Sequence, residues 1–259
     1  MRKKSLAIGS CVIMAMVIII VGIGIIDSSK GRVREEDEIS LGRNHLTQLE
    51  QMDLSVVEET VELHHAPVVI VDDGNMNFEK FFENTVFMGD SITEGLIDME
   101  LVNKYNVISG KGDTVIKAKK NVDTVVALRP KNIVLLYGMN DVIEFDNPDQ
   151  GRGPKQFKES YVNLINEIKS KLPKANIYIQ APLPVNDKAV TTNNRLTNGN
   201  LIEFRKLAHE VSVETGVNYV DIDVLVAGNN QLYEGDGIHF KYDFYLKWLA
   251  YLQKSMGKQ

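Results

Sequence analysis

Apolar and polar positions along the chain fall into three regimes. The first is a run from Ser5 to Ile26 with no charged residue, dominated by Ile, Val, Met, Ala and Gly. It is 22 residues long. At about 1.5 Å of rise per helical residue, that suffices to cross a hydrocarbon core of roughly 30 Å. The second regime, residues 27–77, has no sustained period. Asp27-Ser28-Ser29-Lys30-Gly31-Arg32 is polar and turn-like. Leu46, Leu49, Met52 and Val56 approach helical spacing for barely two heptads, enough for a short stalk helix but not for a coiled coil. Val68-Val69-Ile70-Val71 has the composition of a strand or a docked segment.

The third regime, residues 78–259, alternates short apolar runs with amphipathic ones. Strands are expected at Thr85–Met88, Asn106–Ser109, Ile133–Tyr137, Asn176–Ala181 and Val217–Ile222. Between them, a helix should start at Asp113 or Thr114 and run to about Leu128, where Pro130 ends it. A second carries Phe157, Tyr161, Leu164, Ile165, Ile168 and Leu172 on one stripe. A third spans about Gly199–Thr215 with Gly216 at its end. The last, about Tyr242–Leu252, carries Phe244, Trp248 and Leu252. This order predicts an α/β fold, a three-layer α/β/α sandwich around a mostly parallel sheet, preceded by one transmembrane helix.

Charge sharpens the first regime. Arg2, Lys3 and Lys4 precede the apolar run, and no acid occurs before Asp27. A cleaved signal peptide would carry a shorter apolar stretch and a small-x-small cleavage site, and no such site follows Ile26. The expected division is therefore a basic tip and signal-anchor at residues 1–26, a stalk at 27–77 and one domain at 78–259. The positive-inside rule puts the N-terminus in the cytoplasm and the rest outside. Cys11, the single cysteine, lies inside the span, with too little apolar sequence before it for a lipobox. The chain carries 29 basic and 35 acidic residues, a net charge of −6. Without the three basic residues of the tip, the remainder stands at 26 − 35 = −9. That balance argues against nucleic acid as a partner. One cysteine excludes a disulfide framework and a Cys-rich zinc site. His64-His65 lacks further ligands nearby, and His45 and His209 have no partner motif. No metal and no cofactor is expected.

Four polar clusters fall where strands end or just before the last helix: Gly89-Asp90-Ser91, Gly110-Lys111-Gly112-Asp113-Thr114, Gly138-Met139-Asn140-Asp141 and Asp236-Gly237-Ile238-His239. In open α/β sheets ligands bind beyond the carboxyl ends of the strands. A hydroxyl, backbone N–H groups, a side-chain amide and a carboxylate–imidazole pair are the components of acyl transfer. Taken singly, each has a plainer reading. Ser91 suits a helix N-cap, Asn140 a turn, Gly110 and Gly112 ordinary turns, and His239 a core position. Other site readings fail on spacing. Gly110–Thr114 lacks the first Gly and the Lys-Ser/Thr of a P-loop, Val115 replaces the third small residue of a dinucleotide fingerprint, and Thr93 replaces the last Gly of the G-x-S-x-G elbow.

Together, and in this order, the four clusters resemble the blocks of the SGNH hydrolases, also called GDSL-type esterases. The first is Gly89-Asp90-Ser91-Ile92-Thr93-Glu94-Gly95. The second is Gly112 in its Gly-Asp-Thr context, the third Gly138-x-Asn140-Asp141 and the fourth Asp236-x-x-His239. The resemblance implies a flavodoxin-like SGNH fold. It implies Ser91 as nucleophile, His239 as base and Asp236 as its orienting carboxylate. The oxyanion donors would be the N–H groups of Ser91 and Gly112 and the amide of Asn140. Gly89, Asp90, Gly138 and Asp141 would support the site, Asp90 and Asp141 through structural hydrogen bonds near it. The family acts on varied esters. An outward-facing enzyme meets envelope glycans, and the Asn- and Thr-rich loop Val185–Asn200 suits sugar hydroxyls. The expected function is therefore removal of O-acetyl groups from carbohydrate. Acyl transfer to a sugar, lipase or thioesterase activity, and a silent binding module are the alternatives.

Overall fold

A computed structural model describes residues 77–145 and 153–257. The expected membrane anchor, the stalk, Val68–Val71, His45 and His64-His65 lie outside the described residues. Among the described residues no helix is long and apolar enough to cross a membrane.

After a short helix α1 (Phe78–Phe81), the strands are β1 (Thr85–Gly89), β2 (Val107–Ser109), β3 (Asn132–Leu136), β4 (Asn176–Gln180) and β5 (Asn218–Val220). They form one sheet in the order β2-β1-β3-β4-β5, and every neighbouring pair is parallel. β1 lies inside the sheet between β2 and β3, each residue buried. Strands covered on both faces read as unbroken apolar runs, as Val86-Phe87-Met88 and Ile133–Leu136 do.

The intervening helices are α2 (Ser91–Asp98), α3 (Val115–Ala118), α4 (Val122–Leu128), α5 (Met139–Phe145), α6 (Pro154–Lys171), α7 (Ala189–Thr192), α8 (Asn198–Thr215) and α9 (Tyr242–Met256). The chain leaves β1 in one direction to reach β2, then crosses back over β1 to β3 and continues to β5. Because parallel crossovers are right-handed, α2 lies on one face and α3, α4, α6 and α8 on the other. α9 joins α2: Trp248 packs edge-on against Phe87, with ring centroids 6.4 Å apart, and the Tyr245 hydroxyl donates to the Ile92 carbonyl at 3.1 Å. On the opposite face Phe157 of α6 meets Phe204 of α8 at 4.7 Å. Phe157, Tyr161, Leu164, Ile165 and Ile168 are all buried, the stripe expected from their spacing.

Local chemistry sets the ends. Pro154 opens α6, where its missing N–H costs nothing. Thr197 caps α8 by accepting from the Asn200 N–H, and Gly216 closes it at φ +65°. Two expectations change. The helix expected through Thr114–Leu128 is two helices joined by a 3₁₀ turn at Lys119–Asn121. Gly138–Asp141 is not only a loop, because Met139 begins α5.

Candidate active site

The reversal of chain direction between β1 and β3 opens a crevice at the carboxyl edge of the sheet, the usual ligand position in such folds. Gly89 ends β1 there. A Cβ on it would lie 2.0 Å from Thr93 Oγ1 and 2.8 Å from the Leu136 carbonyl, so only glycine lets β1, β3 and α2 converge. Asp90 then caps α2, its Oδ1 accepting from the Ile92 N–H at 2.9 Å. This places Ser91 on the first turn of α2, facing the crevice.

His239 reaches the same point from the loop before α9. Its Nε2 lies 2.9 Å from Ser91 Oγ, and its Nδ1 lies 2.6 Å from Asp236 Oδ2. The loop is built to hold this pair. Asp236 Oδ1 accepts from the N–H groups of Ile238 and His239 at 2.9 and 3.0 Å. Gly237 takes φ +74°, which a residue with a Cβ rarely adopts. The Tyr233–Phe240 bridge closes the loop at its base. Burial pushes the Asp236 carboxyl up, but hydrogen bonds from the His239 ring and the two backbone N–H groups outweigh it and hold the group below the ordinary carboxylate range.

Gly110–Asp113 is a β-turn closed by the Asp113 N–H donating to the Gly110 carbonyl at 2.9 Å. Gly112, at its third position, has φ +72° and open space beside its Cα. A positive φ there is the mark of a type II turn and fixes which way the Lys111–Gly112 peptide points. Among the described residues the N–H groups of Ser91 and Gly112 donate to no protein acceptor. The Asn140 amide, on the first turn of α5, lies beside them. Its Nδ2 donates to Asp90 Oδ2 at 3.0 Å and to the Asp113 carbonyl at 3.3 Å.

Beneath the crevice lies a buried acidic layer. Burial raises Asp90 to about 6 against an ordinary 3.8, and Asp141 to about 8. Asp141 Oδ1 accepts from the Val115 N–H at 2.9 Å and ties α5 to the start of α3. Burial likewise pushes the Tyr137 and Tyr161 hydroxyls up.

All nine residues singled out in the sequence thus gather at one edge of the sheet. His209 is exposed, its ring 4.9 Å from that of Tyr219. Sequence reasoning passed over Tyr245, which lines the crevice and seats its hydroxyl end against Gly95. A glycine inside an apolar helix was the available signal for such close packing. It also passed over Lys117 and Lys120, which hold the turn by donating to the Gly112 carbonyl at 2.7 Å and to Asp113 Oδ1 at 3.1 Å.

The loop Val185–Asn200 differs from expectation. Its amides and hydroxyls mostly hold the loop itself. Asn198 brackets the Val185 backbone, Asn200 donates to the Arg195 carbonyl, Asn193 accepts from the Arg195 N–H and Thr191 donates to the Lys188 carbonyl. Only Thr192 and Leu196 of this loop line the cleft, which has a volume of about 570 Å³. Its lining also includes the charged Glu94, Asp98, Lys111 and Glu234 and the apolar Met99, Met139 and Ile143. Among the described residues no group of three or more His, Cys, Asp or Glu side chains is placed to hold a metal.

A parallel α/β sheet bearing a serine–histidine–aspartate chain at its switch point defines a class of acyl-transferring enzymes. Residues 87–245 match the GDSL-like lipase/acylhydrolase family, and the chain belongs to that family. It is a hydrolase acting on esters. Solved structures share its fold. A lipase/acylhydrolase from Enterococcus faecalis is 21% identical, covering 67% of this chain and 95% of its own, with a TM-score of 0.53. A GDSL-like lipase from Bacteroides thetaiotaomicron is 18% identical, covering 71% and 93%, at 0.54. A mutant of an acetylxylan esterase from Geobacillus stearothermophilus is 16% identical, covering 67% and 93%, at 0.51. No curated protein sequence matches the chain significantly.

Proposed function

We propose that this chain is a membrane-anchored, outward-facing serine esterase that removes O-acetyl groups from carbohydrate through an acyl-enzyme. The observation that carries the reading is the unbroken hydrogen-bonded chain from Ser91 through His239 to Asp236. His239 Nε2 takes the Ser91 proton as Oγ bonds to the ester carbonyl carbon. Asp236 holds the imidazole in the tautomer that leaves Nε2 free to accept, and stabilises the imidazolium that forms. The carbonyl oxygen becomes an oxyanion and meets the N–H groups of Ser91 and Gly112 and the Asn140 amide. Collapse of the tetrahedral intermediate breaks the bond to the alcohol, which leaves with the proton from His239. Water then repeats the sequence, His239 taking its proton, and the acid is released from Ser91.

Two features support a glycan substrate. The cleft combines an apolar wall of Met139, Ile143 and Phe240 with Glu94, Asp98, Lys111 and Glu234, a mixture that suits the ring faces and hydroxyls of a sugar. One structural neighbour is an acetylxylan esterase. The anchor rests on Arg2-Lys3-Lys4 and the uncharged run Ser5–Ile26. The test is acetate release by the full chain in detergent from acetylated xylan and acetylated peptidoglycan. Release from either, lost in Ser91→Ala, is expected. Release from neither, beside fast turnover of a long-chain thioester, contradicts the carbohydrate reading.

A further inference from the structure

Asp90 carries two separate bonds. Its Oδ1 caps α2, and its Oδ2 receives the Asn140 amide from α5, fifty residues away in sequence. The cap alone does not require an acid, since serine caps as well. A carboxylate at 1% exposure costs desolvation that a hydroxyl would avoid. The second bond is what the acid adds. An asparagine at position 90 would either present its own NH₂ group to Asn140 or give up the cap. The Asn140 amide has two N–H groups. One is held by Asp90 at 3.0 Å, the other by the Asp113 carbonyl at the longer distance of 3.3 Å.

We propose that Asp90 is a positioning residue that acts through Asn140, its carboxylate serving as the fixed pivot of the amide while the second N–H passes from the Asp113 carbonyl to the oxyanion in the transition state. This rests on the reading of Ser91 and Asn140 as nucleophile and oxyanion donor. A bond exchanged only at the transition state accelerates the reaction without tightening substrate binding. The Asp113 carbonyl can release that N–H because its neighbourhood is pinned independently, by Lys120 on the Asp113 side chain and by Lys117 on Gly112.

A pH dependence follows. The pivot needs an ionised acceptor, and burial raises Asp90 to about 6. The groups facing it are His239 from the loop before α9, Tyr245 from α9, Asp141 from α5 and Tyr137 from the end of β3. As pH falls through about 6, Asp90 gains a proton and the pivot is lost.

The test uses the full chain in detergent with p-nitrophenyl acetate. In the unaltered protein, kcat should fall as pH drops through about 6, on top of any acid limb that Asp90→Ser retains. Asp90→Ser keeps the helix cap but cannot reach Asn140. It should lower kcat about 10–100-fold with KM within about twofold, and make the acid limb less steep than in the unaltered protein. Asn140→Ala should lower kcat about 10²–10³-fold. The double variant should be no slower than Asn140→Ala alone. An acid limb equally steep in the unaltered protein and Asp90→Ser, unchanged kcat in Asp90→Ser, or losses that multiply in the double variant would each overturn the inference while leaving the esterase reading in place. Absence of turnover in the unaltered protein overturns that reading itself.

Discussion

Asp141 has no exposed surface and one hydrogen-bonded oxygen, Oδ1, while Oδ2 has no partner among the described residues. Burial raises it to about 8, so it is largely neutral at pH 7. The sign of its effect on stability follows. Because the folded state holds this proton more tightly than the unfolded chain, the contribution is full below pH 3.8 and is lost as pH rises towards about 8. Asp141→Asn keeps the shape and the acceptor but cannot ionise. Its urea midpoint should therefore improve relative to the unaltered protein between pH 5 and pH 8.5. A constant difference would show that Asp141 is already ionised. At this scale the residues of the site were legible, since Ser91, Gly112, Asn140, Asp236 and His239 all stand in short motifs. Their mutual support was not, because Asp90 and Asn140 meet only after β1 and β3 pair.

Gly95 shows what an element requires. On α2 it faces α9, and a Cβ there would lie 2.0 Å from the Tyr245 hydroxyl. Gly95→Ala must displace Tyr245 from its bond to the Ile92 carbonyl and alter the cleft wall. A loss of about 1–3 kcal/mol in unfolding free energy is expected, with a raised KM for p-nitrophenyl acetate. Unchanged stability and kinetics would mean that α2 and α9 separate freely. The order of strands and longer helices was readable because periods of two and 3.6 dominate them. The 3₁₀ break at Lys119–Asn121 was not. Val115, Ala118, Val122 and Val125 keep helical spacing straight through it and are all buried. Its link to α6 includes two surface ion pairs, Lys119 with Glu167 and Lys171 with Asp123, that no local spacing announces. The short α5 was hidden because the third motif reads as a turn until Met139 is seen to start a helix.

At the scale of the molecule, charge is unevenly distributed along the sequence. Three basic residues and an uncharged run stand at one end, and the rest carries −9. If the proposed anchor holds, the full chain should sediment with membranes, resist extraction by high salt and dissolve in detergent. Protease added outside intact cells should remove the family domain. A chain recovered in the soluble fraction would contradict the anchor while leaving the site untouched. The substrate was the least legible feature. The Asn- and Thr-rich loop matches sugar recognition in composition, yet most of its polar groups are spent on its own backbone. Composition cannot distinguish a side chain that faces a ligand from one that braces a turn.

The proposed chemistry depends on Ser91 as a nucleophile activated by His239 and Asp236. The most direct measurement is the reaction of the full chain with a fluorophosphonate, followed by peptide mass analysis. A single adduct on Ser91 is expected, with ester turnover falling in step with labelling and both lost in Ser91→Ala and His239→Ala. An unlabelled Ser91 in folded protein, or an adduct on another residue that accounts for the lost activity, would contradict the account.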